Sequence, residues 1–358
     1  MRIAIVTDAW FPQVNGVVRS LVMTVSILQR RGYEIELVTP DQFATLPIPG
    51  YREIRLAVAP RFRVRKTLGN YRPDIVHIVT EGPIGWAARS WCISRNVPFT
   101  TAFHTRFPDY AAVRTGISAD RFWPIMRRFH KPARAVLVST FSLIEELEKR
   151  GIRNSRLWSR GIDKSVFRPG LPPLEALADL PRPILLSVGR VASEKNLPAF
   201  LNAPVAGTKV IVGDGPALAQ LRARFPDAIF LGALFGEELA RAYCSADVFV
   251  FPSRTDTFGL VVIEALACGL PVAAYPVAGP IDILGRSGRG NFDQLSEPAG
   301  VVNESLSHAI VRAQSASPQS ATELGSSFDW EKCTDQFLSA LIDAVESPSE
   351  EIQKLLPA

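Results

Sequence analysis

Short apolar runs recur along the whole chain, each closed by a polar or glycine turn and separated by stretches of helical spacing. The first, IAIVTD, predicts a strand; a helix over 17–31 ends at Gly32, and EIELVTP predicts the next strand. DIVHIV (74–79), PFTTAFH (98–104) and AVLVST (135–140) continue the series, and a helix over 141–150 closes at Gly151. The second half repeats it with PILLSVGR (183–190), KVIVGDG (209–215), AIFLG (228–232), DVFVFPS (247–253) and PVAAYP (271–276). Strands this apolar are buried on both faces, which predicts α/β architecture with parallel sheets covered by helices on each side. A chain of 358 residues holds two such doubly wound domains comfortably. The proline-rich stretch 167–183 reads as their hinge. The expected division is a first domain over 1–168, a linker over 169–183, a second domain over 184–327 and a tail over 328–358 with an amphipathic helix at 328–345. Ligands of such sheets bind at the carboxyl ends of the strands, which predicts a crevice between the two domains.

The segment DVFVFPSRTDTFGLVVIEALACGLPV (247–272) carries the sharpest chemistry. A strand runs into a polar turn with Asp256; a helix opens at Phe258, Gly259 and Leu260 and carries Glu264. Free N–H groups and the positive end of the helix dipole favour phosphate at that start, and a carboxylate beside phosphate is suited to hydroxyls. A sugar nucleotide offers both. Upstream, Gly189 and Arg190 end a strand and Lys195 follows five residues later; two cations there suit a diphosphate. Arg and Lys after a strand are usually just a solvated helix start, and it is the combination with the carboxylate unit that favours phosphate. VGDGP, with Gly213 and Gly215, is a tight strand-end turn whose structural reading is nearly as good as a functional one. Asn15 and Gly16 precede a helix after the first strand, where backbone amides can approach phosphate or a sugar hydroxyl. No G-x-G-x-x-G follows that strand, which argues against a dinucleotide-dependent dehydrogenase. His104 ends an apolar strand, although a lone histidine is more often structural; His77, His130 and His308 lack comparable context. Arg160, before the hinge, suits an anionic donor or a purely structural turn.

These motifs resemble glycosyltransferase family 4, whose members have the GT-B fold and retain anomeric configuration. The carboxylate-x7-Glu unit of Asp256 and Glu264 resembles the family's donor signature, with Asp256 where most relatives carry Glu. The resemblance implies that Arg190 and Lys195 bind the diphosphate and that Gly213 and Gly215 border the base. By the same resemblance, Gly189, Phe258, Gly259 and Leu260 belong to the donor site, Glu264 holds the ribose, and Asp256 holds the donor sugar. The His104-Thr105-x-Phe107-Pro108 element places His104 beside the sugar; Asn15 and Gly16 touch the donor phosphate, and Arg160 faces the cleft. It further implies front-face displacement with no metal and no cofactor beyond the nucleotide-sugar co-substrate, and a last helix that crosses back to the first domain. FPQVNGVVRS, FHTRFP and LWSRGID look most like bacterial enzymes that glycosylate diacylglycerol, with UDP-glucose or UDP-glucuronate as the expected donor. The same chemistry on a soluble acceptor, a UDP-sugar epimerase, and a catalytically idle sugar-nucleotide binder are the alternatives.

Composition adds where the acceptor lies. Residues 1–170 hold 27 Lys/Arg against 13 Asp/Glu, and the remainder 13 against 22, so a net +5 hides halves of +14 and −9. RFRVRK (61–66) and RFWPIMRRFHKPAR (121–134) interleave cations with aromatics, a pattern suited to an anionic membrane surface; a solvated helix face with core aromatics is the plainer reading of either alone. No nucleic-acid motif accompanies them. The four cysteines are scattered and fit a reducing cytosol. With no signal peptide and no long apolar run, the expectation is a cytoplasmic protein, peripheral on the inner face of the membrane, with a lipid acceptor.

Overall fold

The computed structural model describes residues 1–13, 15–48, 51–104 and 106–346; Val14, Pro49, Gly50, Thr105 and the end of the tail from 347 lie outside the described residues. The chain forms two compact units, one of Met1–Ser159 with the stretch beginning at Glu331, the other of Arg160–Trp330.

In the N-terminal unit, β1 (Arg2–Val6), β2 (Glu34–Val38), β5 (Ile75–Ile78), β6 (Phe99–Ala102), β7 (Val136–Val138) and β8 (Ser155–Leu157) form one parallel sheet in the order β2-β1-β5-β6-β7-β8. β3 (Thr45–Ile48) and β4 (Tyr51–Ala57) form a separate antiparallel hairpin, which strand patterning did not predict. Ile3, Ala4, Ile5 and Val6 are fully buried, as the two-sided burial of a central parallel strand demands. Asn15 caps the Gly16–Arg30 helix, its side chain accepting from the N–H groups of Val17 and Val18 at 3.1 and 3.0 Å. That is the work a helix N-cap does, and it gives Asn15 a local role. The C-terminal Trp330–Glu346 helix buries Phe337 edge-on to His77 at 4.8 Å, and Trp158 stands 4.9 Å from the same ring. Arg31 clamps Glu331 and Asp335 at 2.6 and 2.7 Å.

The C-terminal unit holds β9 (Ile184–Val188), β10 (Thr208–Val212), β11 (Ile229–Gly232), β12 (Val248–Phe251), β13 (Val272–Ala274) and β14 (Gly300–Val302), all parallel, in the order β11-β10-β9-β12-β13-β14. In each sheet the chain winds outward one way and then the other, so the order reverses between β1 and β5 and between β9 and β12. Such switch points leave the crevices in which open α/β sheets take ligands.

Three expectations change. The proline-rich stretch is not a free linker: Phe167, Leu174 and Leu177 are core residues of the C-terminal unit and a short helix spans Glu175–Ala178. The unit boundary falls earlier, at Ser159. In the second basic–aromatic stretch, Trp123, Met126 and Phe129 are buried and build core while Ile125 is 50% exposed; Phe62 of the first stretch is 79% exposed. Among the described residues, no helix is long and apolar enough to cross a membrane.

Candidate active site

Glycine requirements explain the loops at the carboxyl end of β9 and β10. A Cβ on Gly213 would come within 1.9 Å of the Gly189 carbonyl oxygen, and one on Gly215 within 2.4 Å of that of Val191. The Val191 N–H donates to Asp214 O at 2.9 Å and the Ala217 N–H to Val191 O at 3.0 Å. The two strand-end turns are therefore zipped together backbone to backbone, which only Gly permits at 213 and 215. Both glycines have a sufficient structural reason to be there.

The loop after β9 is bound just as closely to the loop after β12. The Asn196 amide donates to Pro252 O at 3.1 Å, and the Ser253 and Thr255 hydroxyls each donate to Glu194 O at 3.4 Å. These bonds place Lys195 Nζ 2.6 Å from Asp256 Oδ1, with side chains 25% and 17% exposed. Asp256 Oδ2 is buried and receives no hydrogen bond among the described residues. The expected diphosphate lysine and the expected sugar-binding carboxylate thus meet, across the switch point between β9 and β12. Arg190 lies partly buried at the start of the same loop.

Gly259 caps the Leu260–Ala267 helix at φ 91°, in the left-handed region that favours glycine, and as a glycine it makes no side-chain cap bond. The Val262 N–H turns back to Gly259 O at 2.9 Å, and the remaining backbone donors of a helix start suit an anion. Phe258 is 5% exposed and packs edge-on to Phe328, and a Cβ on Gly279 would strike the Phe258 carbonyl. Glu264, one turn into the helix, is 2% exposed; its Oε2 accepts from the buried Tyr243 hydroxyl at 3.0 Å. Tyr243 was missed by sequence reasoning, because nothing in the spacing of 243 and 264 announces a cross-helix bond.

His104, in the N-terminal unit, is 8% exposed and stands 5.3 Å from the Trp158 ring. Gly16 is the first residue of its helix. Arg160 is 6% exposed, and Gly161 next to it has room for no Cβ against Trp330. Sequence reasoning also passed over Asp8, two residues beyond β1. Its carboxylate accepts from the N–H groups of Ile84 and Gly85 and from the Thr80 hydroxyl, and burial raises its pKa to about 6 despite these bonds.

A sucrose-phosphate synthase from Thermosynechococcus elongatus has the same fold, with a TM-score of 0.70 at 23% identity over 94% of this chain and 97% of that one. Two doubly wound parallel sheets in this order are the architecture of the GT-B fold. A family model described as Glycosyltransferase Family 4 matches residues 14–166, and one described as Glycosyl transferases group 1 matches residues 182–313. A GDP-mannose-dependent alpha-mannosyltransferase from Mycobacterium tuberculosis is 31% identical over 88% of this chain and 89% of its own length. An alpha-monoglucosyldiacylglycerol synthase from Streptococcus pneumoniae is 26% identical over 77% of this chain and 71% of its own. The chain belongs to glycosyltransferase family 4.

Proposed function

We propose that this glycosyltransferase is a retaining hexosyltransferase that moves a sugar from a nucleoside-diphosphate donor to a membrane lipid such as diacylglycerol. The observation that carries the donor side is the Lys195–Asp256 pair at 2.6 Å across the switch point, beside a helix start with no side-chain cap. As the bond from the sugar C1 to the diphosphate breaks, Lys195, Arg190 and the helix start receive the negative charge of the leaving group. Asp256 holds the transferred sugar, and Glu264, braced by Tyr243, takes the ribose hydroxyls. The acceptor oxygen bonds C1 on the face the diphosphate leaves, and its proton passes to the departing phosphate oxygen. With two cations and a helix start to meet the charge, the reaction proceeds without a metal.

The lipid acceptor is supported by the similarity to the diacylglycerol-glucosylating relative and by the basic helix over Arg61–Tyr71, which exposes Phe62 among Arg61, Arg63, Arg65 and Lys66. Such a surface fits peripheral attachment to an anionic leaflet. UDP-glucose and UDP-glucuronate remain the donors of the first reading. A second, GDP-mannose, is favoured by the greater identity to the GDP-mannose-dependent relative. Transfer from radiolabelled UDP- and GDP-sugars into chloroform-extractable product, with vesicles containing diacylglycerol and with EDTA present, tests the reading. Label in the organic phase names the sugar. Label only in water-soluble product overturns the lipid acceptor, and donor conversion without any acceptor would make the protein an epimerase.

A further inference from the structure

The C-terminal unit holds a pair of thiols that the donor site does not use. Cys244 is the last residue but one of the Gly236–Ser245 helix, and Cys268 is the C-cap of the Leu260–Ala267 helix. The Tyr243–Glu264 hydrogen bond joins these same two helices. Cys244 therefore adjoins Tyr243, and Cys268 stands one turn beyond Glu264. The Cys244 thiol lies 3.4 Å from the Arg168 carbonyl oxygen and 3.9 Å from that of Cys268, and the two thiols share a hydrogen bond. The proline-rich stretch lies over the pair: a Cβ on Gly269 would meet the Pro169 Cβ at 3.7 Å, an ordinary packing distance. The other two cysteines, Cys92 and Cys333, are buried in the N-terminal unit.

The two thiols are not equivalent. Cys244 is half-buried, whereas Cys268 is 5% exposed. Its hydrogen bond with the Cys268 thiol lowers the Cys244 pKa, and the N–H groups of Leu171 and Gly170 add to the effect. The same thiol contact, together with burial, raises the pKa of Cys268. Thiolate is the form that reacts with oxidants. The accessible sulfur is thus the nucleophile, and the sheltered one stays a thiol beside it, as in an oxidisable cysteine with a resolving partner.

We propose that Cys244 and Cys268 form a peroxide-sensitive modification site whose disulfide weakens donor binding. The Cys244 thiolate attacks one oxygen of hydrogen peroxide, the O–O bond breaks, and hydroxide departs to leave Cys244 as the sulfenic acid. The Cys268 sulfur then displaces that hydroxyl, which leaves with the Cys268 proton as water. Two thiols and one peroxide give one disulfide and two waters. A disulfide holds its sulfurs far closer than two thiols pack, so the two helix ends are drawn together and Tyr243 shifts against Glu264. Cellular thiols reverse the bond by exchange, as suits a transient switch in a reducing compartment. The effect on the nucleotide rests on the ribose role of Glu264 proposed above; the cross-link does not.

Peroxide treatment of the whole protein, then alkylation and tryptic mapping without reductant, reads the site directly, because trypsin cuts between the two cysteines at Arg254. The expected product is a cross-linked peptide pair that dithiothreitol separates, with Cys92 and Cys333 still alkylated after unfolding. Calorimetry of the oxidised protein with UDP and GDP should show affinity about tenfold lower, restored by dithiothreitol. Cys244→Ser and Cys268→Ala should each bind nucleotide as the wild type does and lose the response to peroxide. Absence of the cross-link overturns the proposal, as does Cys244 carried to sulfinic acid with Cys268 left free. A cross-link that leaves nucleotide affinity unchanged overturns it equally. Failure of the donor reading shows separately, as reduced wild-type protein that binds neither UDP nor GDP, while the cross-link still decides the thiol site.

Discussion

Lys195 and Asp256 hold each other in a partly buried pair, and that geometry separates folding from catalysis. Removing one member of such a pair costs stability modestly, because both ends retain some water, whereas charge on a departing diphosphate has no comparable substitute. Lys195→Ala should lower kcat by at least about a hundredfold with a thermal midpoint close to wild type; equal losses in both would make the lysine structural. Glu264→Gln keeps an acceptor for the Tyr243 hydroxyl and so should fold normally, yet lose roughly tenfold in nucleotide affinity by calorimetry. Two buried titratable groups in the N-terminal unit act in opposite directions with pH. Burial lowers the His77 pKa to about 3, so the unfolded chain takes up a proton first and stability falls as pH drops through 6.5 toward 3. Asp8, raised to about 6, is protonated first in the folded state; its contribution is present below about 4 and is lost as pH rises through 6. His77→Gln should therefore flatten the loss of stability on acidification, and Asp8→Asn should steepen it. Urea unfolding followed by tryptophan fluorescence at several pH values reads both, since Trp10, Trp86, Trp91, Trp123 and Trp158 all lie in this unit.

Among the helices, Leu260–Ala267 carries the proposed ribose carboxylate Glu264 and is packed without slack. The Pro318–Ser326 helix packs on it so closely that a Cβ on Gly325 would approach the Ala267 backbone nitrogen to 2.2 Å. Backbone cannot yield as a flexible side chain does, so Gly325→Ala should destabilise by about 1–3 kcal/mol or more. It should also weaken nucleotide binding through the displaced helix, which thermal melts with and without nucleotide would show. Gly213 and Gly215 illustrate a limit of reading motifs. In the chain they look like a nucleotide turn; in the fold their absence of side chains is already required by the carbonyls of Gly189 and Val191.

For the molecule as a whole, residues 1–170 carry +14 and the remainder −9. An exposed basic helix with a protruding Phe62 predicts binding to vesicles containing anionic lipid that weakens steeply with salt, since exposed charges are screened within about 10 Å at 0.1 M. Replacing Arg61, Arg63, Arg65 and Lys66 together by Gln should abolish vesicle sedimentation while leaving nucleotide affinity intact. Retained sedimentation would exclude this helix as the attachment site.

Period was enough to read the parallel strands and the two-domain plan, and local motifs to single out Arg190, Lys195, Asp256 and Glu264 as candidates for a donor site, because each depends on neighbours close in sequence. A buried strand announces itself by its own apolar run, and a carboxylate before a helix start lies within a few residues of the groups that define its use. The antiparallel hairpin β3–β4, the packed role of 167–183 and the core role of Trp123 and Phe129 were not legible, since burial depends on what a distant segment brings to the other side. The same holds for Tyr243 on Glu264, Asp8 on the turn at 80–85, and His130 on Glu81. Those pairs are 21, 72 to 77 and 49 residues apart, and hydrogen bonds act over about 3 Å, so only the folded chain can choose them.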